Sequence, residues 1–166
     1  GALIAANPVG SVVDAQGRFW AQPMAMQTST GLEFGHPHLA TMAADAQAQH
    51  PLAGTKLGGQ MAGANTSIGV VATDADLTKA EAQRVAIMAQ DGLARAVRPI
   101  HTPFDGDAIF VLATGSKPLA ASPEQRARAV AIVGALAADC VARSVARAIW
   151  EAEDLANAQC YRSHFQ

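Results

Sequence analysis

Between Ser67 and Ala148 the chain twice sets a short apolar run before a capped amphipathic helix. Ser67–Thr73 is rich in Val, Ile and Thr, side chains that fit a pleated, half-buried surface. Thr78-Lys79-Ala80-Glu81 then has the spacing of a capping box, in which hydroxyl and carboxylate satisfy each other's free backbone donors. Val85, Met88 and Leu93 fall near one face of the helix that follows. Arg98-Pro99 ends it, because a residue before proline avoids helical geometry. The second unit repeats the order. Ala108–Thr114 is an apolar strand, and Ser122-Pro123-Glu124-Gln125 opens a long helix with proline at its first position. Val130, Val133, Ala137, Cys140 or Val141, Ser144 and Ala148 recur at helical spacing. A buried face built of such small residues packs closely on a sheet or on a neighbouring helix.

Upstream, Ala2–Asn7 reads as a strand, and Ser11–Asp14, Ala15-Gln16-Gly17 and Arg18–Trp20 as a hairpin. From Pro23 to Gly63 the pattern loosens into a long loop, with one short helix over Leu39–Gln49. Strands, loop, strand, helix, strand, helix imply an α/β protein: a sheet covered by helices. The 166 residues suffice for one domain with a real core. Half of them are hydrophobic but only 5% are aromatic, so alanine carries much of the packing.

The formal net charge of -2 gives no electrostatic case for nucleic acid, and no charge run addresses a membrane surface. No apolar stretch reaches the roughly 20 residues of a membrane span. The opening GALIAAN has no basic segment before it, so it is not expected to be a signal peptide. It reads as a strand already under way, as in a fragment or a processed chain whose earlier part lies elsewhere. Cys140, a small apolar position in a helix, and Cys160 make no disulfide framework. A reducing, cytoplasmic compartment is the expectation.

The chemistry centres on AGANTSIGVVATDAD, Ala62 to Asp76. Read locally, Asn65-Thr66-Ser67 is a turn entering a strand; it also matches the N-glycosylation pattern. The alternative is that Thr66 is a nucleophile. A threonine hydroxyl needs a base, and an N-terminal threonine carries one in its α-amine, which titrates near neutrality. That amine exists only once the Asn65–Thr66 bond is broken, and the hydroxyl can break it by attacking the preceding carbonyl. Asp105-Gly106-Asp107 is the second feature. In an extended chain its two carboxylates point to one side, where they can orient an ammonium group and share a proton. Gly106 lets the backbone bend or another group come close. An acidic turn is the plain reading. Asn7, at a strand end, is either a turn residue or an amide donor to an oxyanion.

Other candidates are weaker. His36, His38 and His50 lack the accompanying ligands of a metal site, so no metal or organic cofactor is expected. His101 is a loop residue or a substitute base. Leu57-Gly58-Gly59-Gln60 lacks the spacing of a phosphate loop.

NTSIGVVATDADLTKAEAQRVA, followed by RPIHTPFDGDAIFVLATG and preceded by GALIAANPVGSVVD, resembles the self-processing N-terminal nucleophile hydrolases of the L-aminopeptidase/D-esterase (DmpA-like) family. Within it, the combination of Thr66 with Asp105 and Asp107 leans toward the nylon-oligomer (6-aminohexanoate oligomer) endo-hydrolase branch, since aminopeptidase relatives carry a serine nucleophile and a Ser/Glu pair. The resemblance implies a four-layer α/β/β/α sandwich, of which this chain is the later part, assembled as a homo-oligomer. It implies cleavage between Asn65 and Thr66, giving segments 1–65 and 66–166, with Thr66 as nucleophile. Asp105 and Asp107 become the paired acidic positions, and Asn7 the asparagine at oxyanion or substrate. The implied substrate is a small peptide or amide, hydrolysed through an acyl-enzyme. An earlier segment of the same precursor is expected to add a lysine or tyrosine near the nucleophile. An acyltransferase of the ornithine acetyltransferase type and a non-catalytic relative are the alternatives.

Overall fold

The computed structural model describes residues 1–35, 52, 54–58, 65–156 and 158–165. The elements run β1 (Ala2–Ala5), a 3-10 turn at Gln22–Met24, β2 (Gln27–Thr28), β3 (Gly31–Leu32), a 3-10 turn at Lys56–Gly58, β4 (Ile68–Ala75), α1 (Lys79–Ala96), β5 (Ala108–Lys117), α2 (Pro123–Trp150) and α3 (Tyr161–Phe165). The sheet has the order β1-β4-β5. β1 is antiparallel to β4, Ala5 facing Ile68, and β4 is parallel to β5, Ile68 facing Ala108. A parallel neighbour needs a crossover connection, and α1 supplies it. Because β1 pairs with β4, segments 1–65 and 66–166 share one sheet rather than forming separate bodies.

Both helices start as their sequences require. The Thr78 hydroxyl accepts from the Glu81 amide, and the Glu81 carboxylate returns to the Thr78 amide at 2.8 Å. Arg126, on α2, also bonds that carboxylate at 2.6 Å and holds Glu81 well down from its ordinary value, to about 2. Ser122 caps α2 through the Gln125 amide. The helices pack on each other and on one face of the sheet. Strand alternation sends Ile4, Gly69, Val71 and Ile109 to that face, where they are buried. Leu3, Ile68, Phe110 and Leu112 stand on the other, each at least half exposed. The described residues thus make two layers, one of sheet and one of helix.

The buried stripe of α2 is Val130, Gly134, Ala137, Ala138, Val141, Ala142, Val145 and Ala146. Of the alternatives Cys140 and Val141, it is Val141 that lies on it; Val133, Ser144 and Ala148, also expected there, are only half-buried. By length and composition α2 is apolar enough to cross a bilayer, with mean hydropathy 1.7 over its most apolar stretch and 44% of that stretch buried. This corrects the expectation that no apolar stretch is long enough for a span. Here its small residues lie against α1 and β1.

The expected hairpin around Gln16 contracts to a tight turn with one bridge, Val13 to Phe19. The Asp14 carboxylate accepts from the Gln16 and Arg18 amides at 2.9 Å each. The chain after Pro23 is tied to α2 by Glu33, which takes two hydrogen bonds from Arg143 at 2.7 and 3.0 Å. Burial alone raises the Glu33 pKa, but the Arg143 guanidinium outweighs it and holds the carboxyl low. The helix expected over Leu39–Gln49 lies outside the described residues.

The α1–α2 contact is closest at Gly92, where a Cβ would strike the Ala138 carbonyl and lie 2.7 Å from Val141 Cβ. Gly92→Ala is therefore expected to destabilise the fold by about 1–3 kcal/mol, although alanine is the better helix former by about 1 kcal/mol. Thermal melting checks this, and an unchanged or higher midpoint would contradict the packing described here.

Candidate active site

β4 is preceded by Asn65, Thr66 and Ser67, and the sheet pairing continues through them. The Thr66 amide donates to the Asn7 carbonyl at 3.0 Å, the Asn7 amide donates to Ser67 Oγ at 3.3 Å, and Asn65 bridges Asp105 in parallel register. Thr66 therefore occupies the central strand at the end of the sheet, with Asn7 on one side and Gly106 on the other. An expected turn is thus an extended segment, because two neighbouring strands satisfy its backbone donors and acceptors.

The hydroxyl of Thr66 donates to the carbonyl oxygen of Asn65, the residue before it, at 2.7 Å. The same oxygen accepts from the Gly106 amide at 3.0 Å. A Cβ added to Gly106 would lie 2.8 Å from Thr66 Oγ1, so Thr66 and the vacant side of Gly106 share one face. Alternation makes this the face of Ile68 and Val70, the one the helices leave uncovered. Asn65 and Ser67, 4% and 1% exposed, turn toward the helices.

Asp105 and Asp107 share a face, as their spacing requires, and by alternation it is the helix face of Ile109 rather than the face of Thr66. Each carboxylate is engaged by its own donors. Asp105 accepts from the Val9 amide at 3.0 Å, the Thr102 amide at 2.9 Å and the Thr102 hydroxyl at 2.7 Å. Asp107, whose side chain is 1% exposed, accepts from the Ser67 amide at 2.8 Å and lies 3.1 Å from His101 Nδ1. His101 is half-exposed and has φ 55°, a left-handed conformation uncommon for a residue with a side chain. Among the described residues no hydrogen bond joins the two carboxylates or links either to the Thr66 hydroxyl. Asp107 grips an amide of Thr66's own strand, and Asp105 grips amides of the chain on either side.

Lys56 was not singled out from the sequence. Its amide donates to the Val9 carbonyl at 3.2 Å, and its ammonium donates to the side-chain oxygens of Asn7 and of Asn65, the latter at 3.2 Å. An ammonium has donors only, so both carboxamides must present oxygen to it, which sets their orientation. Neither its sequence position nor any spacing marks Lys56. Only the fold brings it to Asn7, 49 residues away.

Among the described residues no group of three or more His, Cys, Asp or Glu side chains gathers as a metal requires. His36, His38 and His50 lie outside them. Two shallow clefts of about 350 and 480 Å³ flank Glu33 and Arg147, and neither is lined by Thr66.

The site brings a threonine hydroxyl onto the carbonyl of the preceding residue, whose oxygen already has an amide donor. Residues 1–162 match peptidase family S58, and the chain belongs to that family. It is 41% identical over 174 aligned positions to an uncharacterised aminopeptidase of Mycobacterium bovis, covering 99% of this chain and 47% of that protein. An uncharacterised aminopeptidase of Mycobacterium leprae is likewise 41% identical, with 99% and 44% covered. The 6-aminohexanoate-oligomer endohydrolase of Paenarthrobacter ureafaciens is 28% identical over 151 positions, 91% of this chain and 38% of that protein. The chain spans about half the length of the aminopeptidases that it matches.

Asp105→Ala strands the Val9 and Thr102 amides and is expected to cost about 2–4 kcal/mol of stability, since hydrogen bonds to a charged group contribute more than neutral ones. Asp105→Asn keeps one carbonyl acceptor and should lose less. Denaturant unfolding of the two variants measures the difference. Equal stability of Asp105→Ala and the parent would deny Asp105 this anchoring role.

Proposed function

We propose that this chain is the later part of an amide hydrolase that cuts itself between Asn65 and Thr66 and then uses Thr66 as an N-terminal nucleophile. The observation that carries the reading is the 2.7 Å contact between the Thr66 hydroxyl and the carbonyl oxygen of the bond to be cut. Rotation about the Thr66 Cα–Cβ bond turns the hydroxyl oxygen toward the carbonyl carbon. The new C–O bond forms, the C–N bond breaks, and the proton of the hydroxyl ends on the departing nitrogen. Water then hydrolyses the ester, leaving a carboxylate on Asn65 and a free amine on Thr66.

In the cut enzyme that amine takes the hydroxyl proton when Thr66 attacks a substrate amide. The acyl group passes to Thr66 and is released by water. Asn7, opposite Thr66, is the side chain best placed to donate to the developing oxyanion, and Lys56 fixes its orientation before the cut. Asp105 and Asp107 orient the strand ends that carry the amine. Their grip on Val9 and Ser67 supports this orienting part of the role expected of them. The names of the relatives, aminopeptidase and 6-aminohexanoate-oligomer endohydrolase, favour a substrate with an amide bond between amino-acid-like units.

The nucleophile faces the uncovered side of the sheet, beside Ile68 and Phe110. A second sheet from the rest of the protein, laid on Leu3, Ile68, Val70, Phe110 and Leu112, completes a four-layer sandwich and turns an open surface into a pocket. This accounts for the absence of Thr66 from both clefts.

Intact-mass analysis of the full-length protein tests the cut. Two fragments meeting at Asn65/Thr66 are expected from the parent, and one uncut chain without amide hydrolysis from Thr66→Ala. An uncut parent that hydrolyses amides would sink the terminal-amine mechanism.

A further inference from the structure

Asp105-Gly106-Asp107 holds a group that neither the plain nor the catalytic reading of its carboxylates uses: the amide between them. The Gly106 N–H donates to the Asn65 carbonyl oxygen at 3.0 Å. When the Thr66 hydroxyl adds to that carbonyl, this oxygen takes the negative charge. A donor placed beforehand at 2.7–3.1 Å from such an oxygen is what stabilises an oxyanion without reorganisation. We propose that the Gly106 amide is the oxyanion donor of the self-cleavage step, held in place by its two flanking carboxylates; this rests on the self-cleavage reading given above.

Three observations converge on it. First, the amide is anchored on both sides. Asp105 accepts from the Val9 and Thr102 amides and from the Thr102 hydroxyl, and Asp107 accepts from the Ser67 amide, the residue following the nucleophile. The peptide unit that carries the N–H is thereby fixed to the chain following β1, at Val9, and to the residue before β4, Ser67. Second, glycine here is not demanded by conformation, since Gly106 is not among the glycines with positive φ. Space demands it: a Cβ would lie 2.8 Å from Thr66 Oγ1 and displace the hydroxyl from the carbonyl. Third, the same carbonyl oxygen receives the Thr66 hydroxyl, so nucleophile and donor already meet at the one bond that must break.

In the cleavage step Thr66 Oγ1 bonds the Asn65 carbonyl carbon as its proton passes to the Thr66 nitrogen, and the π electron pair moves to the oxygen facing Gly106. When the C–N bond breaks, that pair returns to form the ester carbonyl. The hydroxyl proton leaves with the Thr66 nitrogen. Gly106 transfers nothing; its N–H stabilises the charge while it lasts.

A routine ladder hydrogen bond would have the same ground-state geometry, so the test compares two of them. Ala108 donates to the Ser67 carbonyl at 3.0 Å in the same ladder, away from the bond that is cut. In the full-length protein made by cell-free synthesis, Gly106 is replaced by glycolic acid and, separately, Ala108 by lactic acid. Each change swaps an N–H for an ester oxygen and removes one donor. The appearance of fragments meeting at Asn65/Thr66 is followed by mass, which also distinguishes that cut from hydrolysis at the introduced ester. The expected result is cleavage slowed about 100–1,000-fold by the ester at 106, in line with loss of one oxyanion donor, and at most a few-fold by the ester at 108. Parent-like cleavage with the ester at 106, or equal slowing by both esters, overturns the assignment. A parent protein that is never cut defeats instead the self-cleavage reading beneath it.

Discussion

The site depends on where Thr66 sits in the sheet: central strand, last rungs, with a backbone hydrogen bond to each neighbour. Its own amide is spent on Asn7, and the carbonyl before it is spent on Gly106. A nucleophile on a loop would face its target carbonyl with thermal latitude. Here the peptide group that precedes Thr66 is clamped between two strands, and sites on rigid elements hold geometry more closely than sites on loops. The clamp is only as good as the packing behind it. Ile4, Val71 and Ile109 belong to the core cluster shared with Val85, Leu93 and Val141, so the helices anchor the three strands that frame the site.

The two faces of the sheet divide the work. On the helix face lie the carboxylates and Ser67, engaged in hydrogen bonds that tie one strand to the next. On the other face lie Thr66, the empty side of Gly106 and a row of exposed apolar side chains. Ser67 and the side chain of Asp107 are almost fully buried on the helix face, where a hydrogen bond is electrostatically stronger than in water. The Thr66 hydroxyl is left on the face that the helices do not cover. Lys56 joins the two arrangements by reaching the side chains of both Asn7 and Asn65.

Much of the fold was legible in the residues. The capping box at Thr78, the proline at the start of α2, the stop at Arg98-Pro99 and the β-branched run of β4 each act within a few residues of chain, so they read correctly without the rest of the molecule. The buried stripe of α2 was partly misjudged. Periodicity alone includes Val133, Ser144 and Ala148 and leaves Cys140 or Val141 open, but the tight approach to α1 at Gly92 and Gly134 centres the contact on Ala137, Ala138 and Val141. The shared face of Asp105 and Asp107 followed from alternation. That it is the face opposite Thr66 did not, since this depends on the register between two strands 40 residues apart. Lys56 was illegible, because a lone lysine in a glycine-rich loop acquires meaning only from what lies beside it.

From the sequence alone came the main elements β1, β4, α1, β5 and α2, with their order and helix caps, and the residues that the proposed chemistry uses: a hydroxyl at 66, an amide at 7, carboxylates at 105 and 107. These are settled by propensity and short-range hydrogen bonding along the chain. Only the tertiary structure decided that Asn7 stands opposite Thr66, that the Gly106 amide meets the Asn65 carbonyl, and that a lysine joins Asn7 to Asn65. Strand register and the close approach of distant loops are set by burying one face of the sheet against the helices, an interaction among residues far apart in sequence that no local pattern encodes.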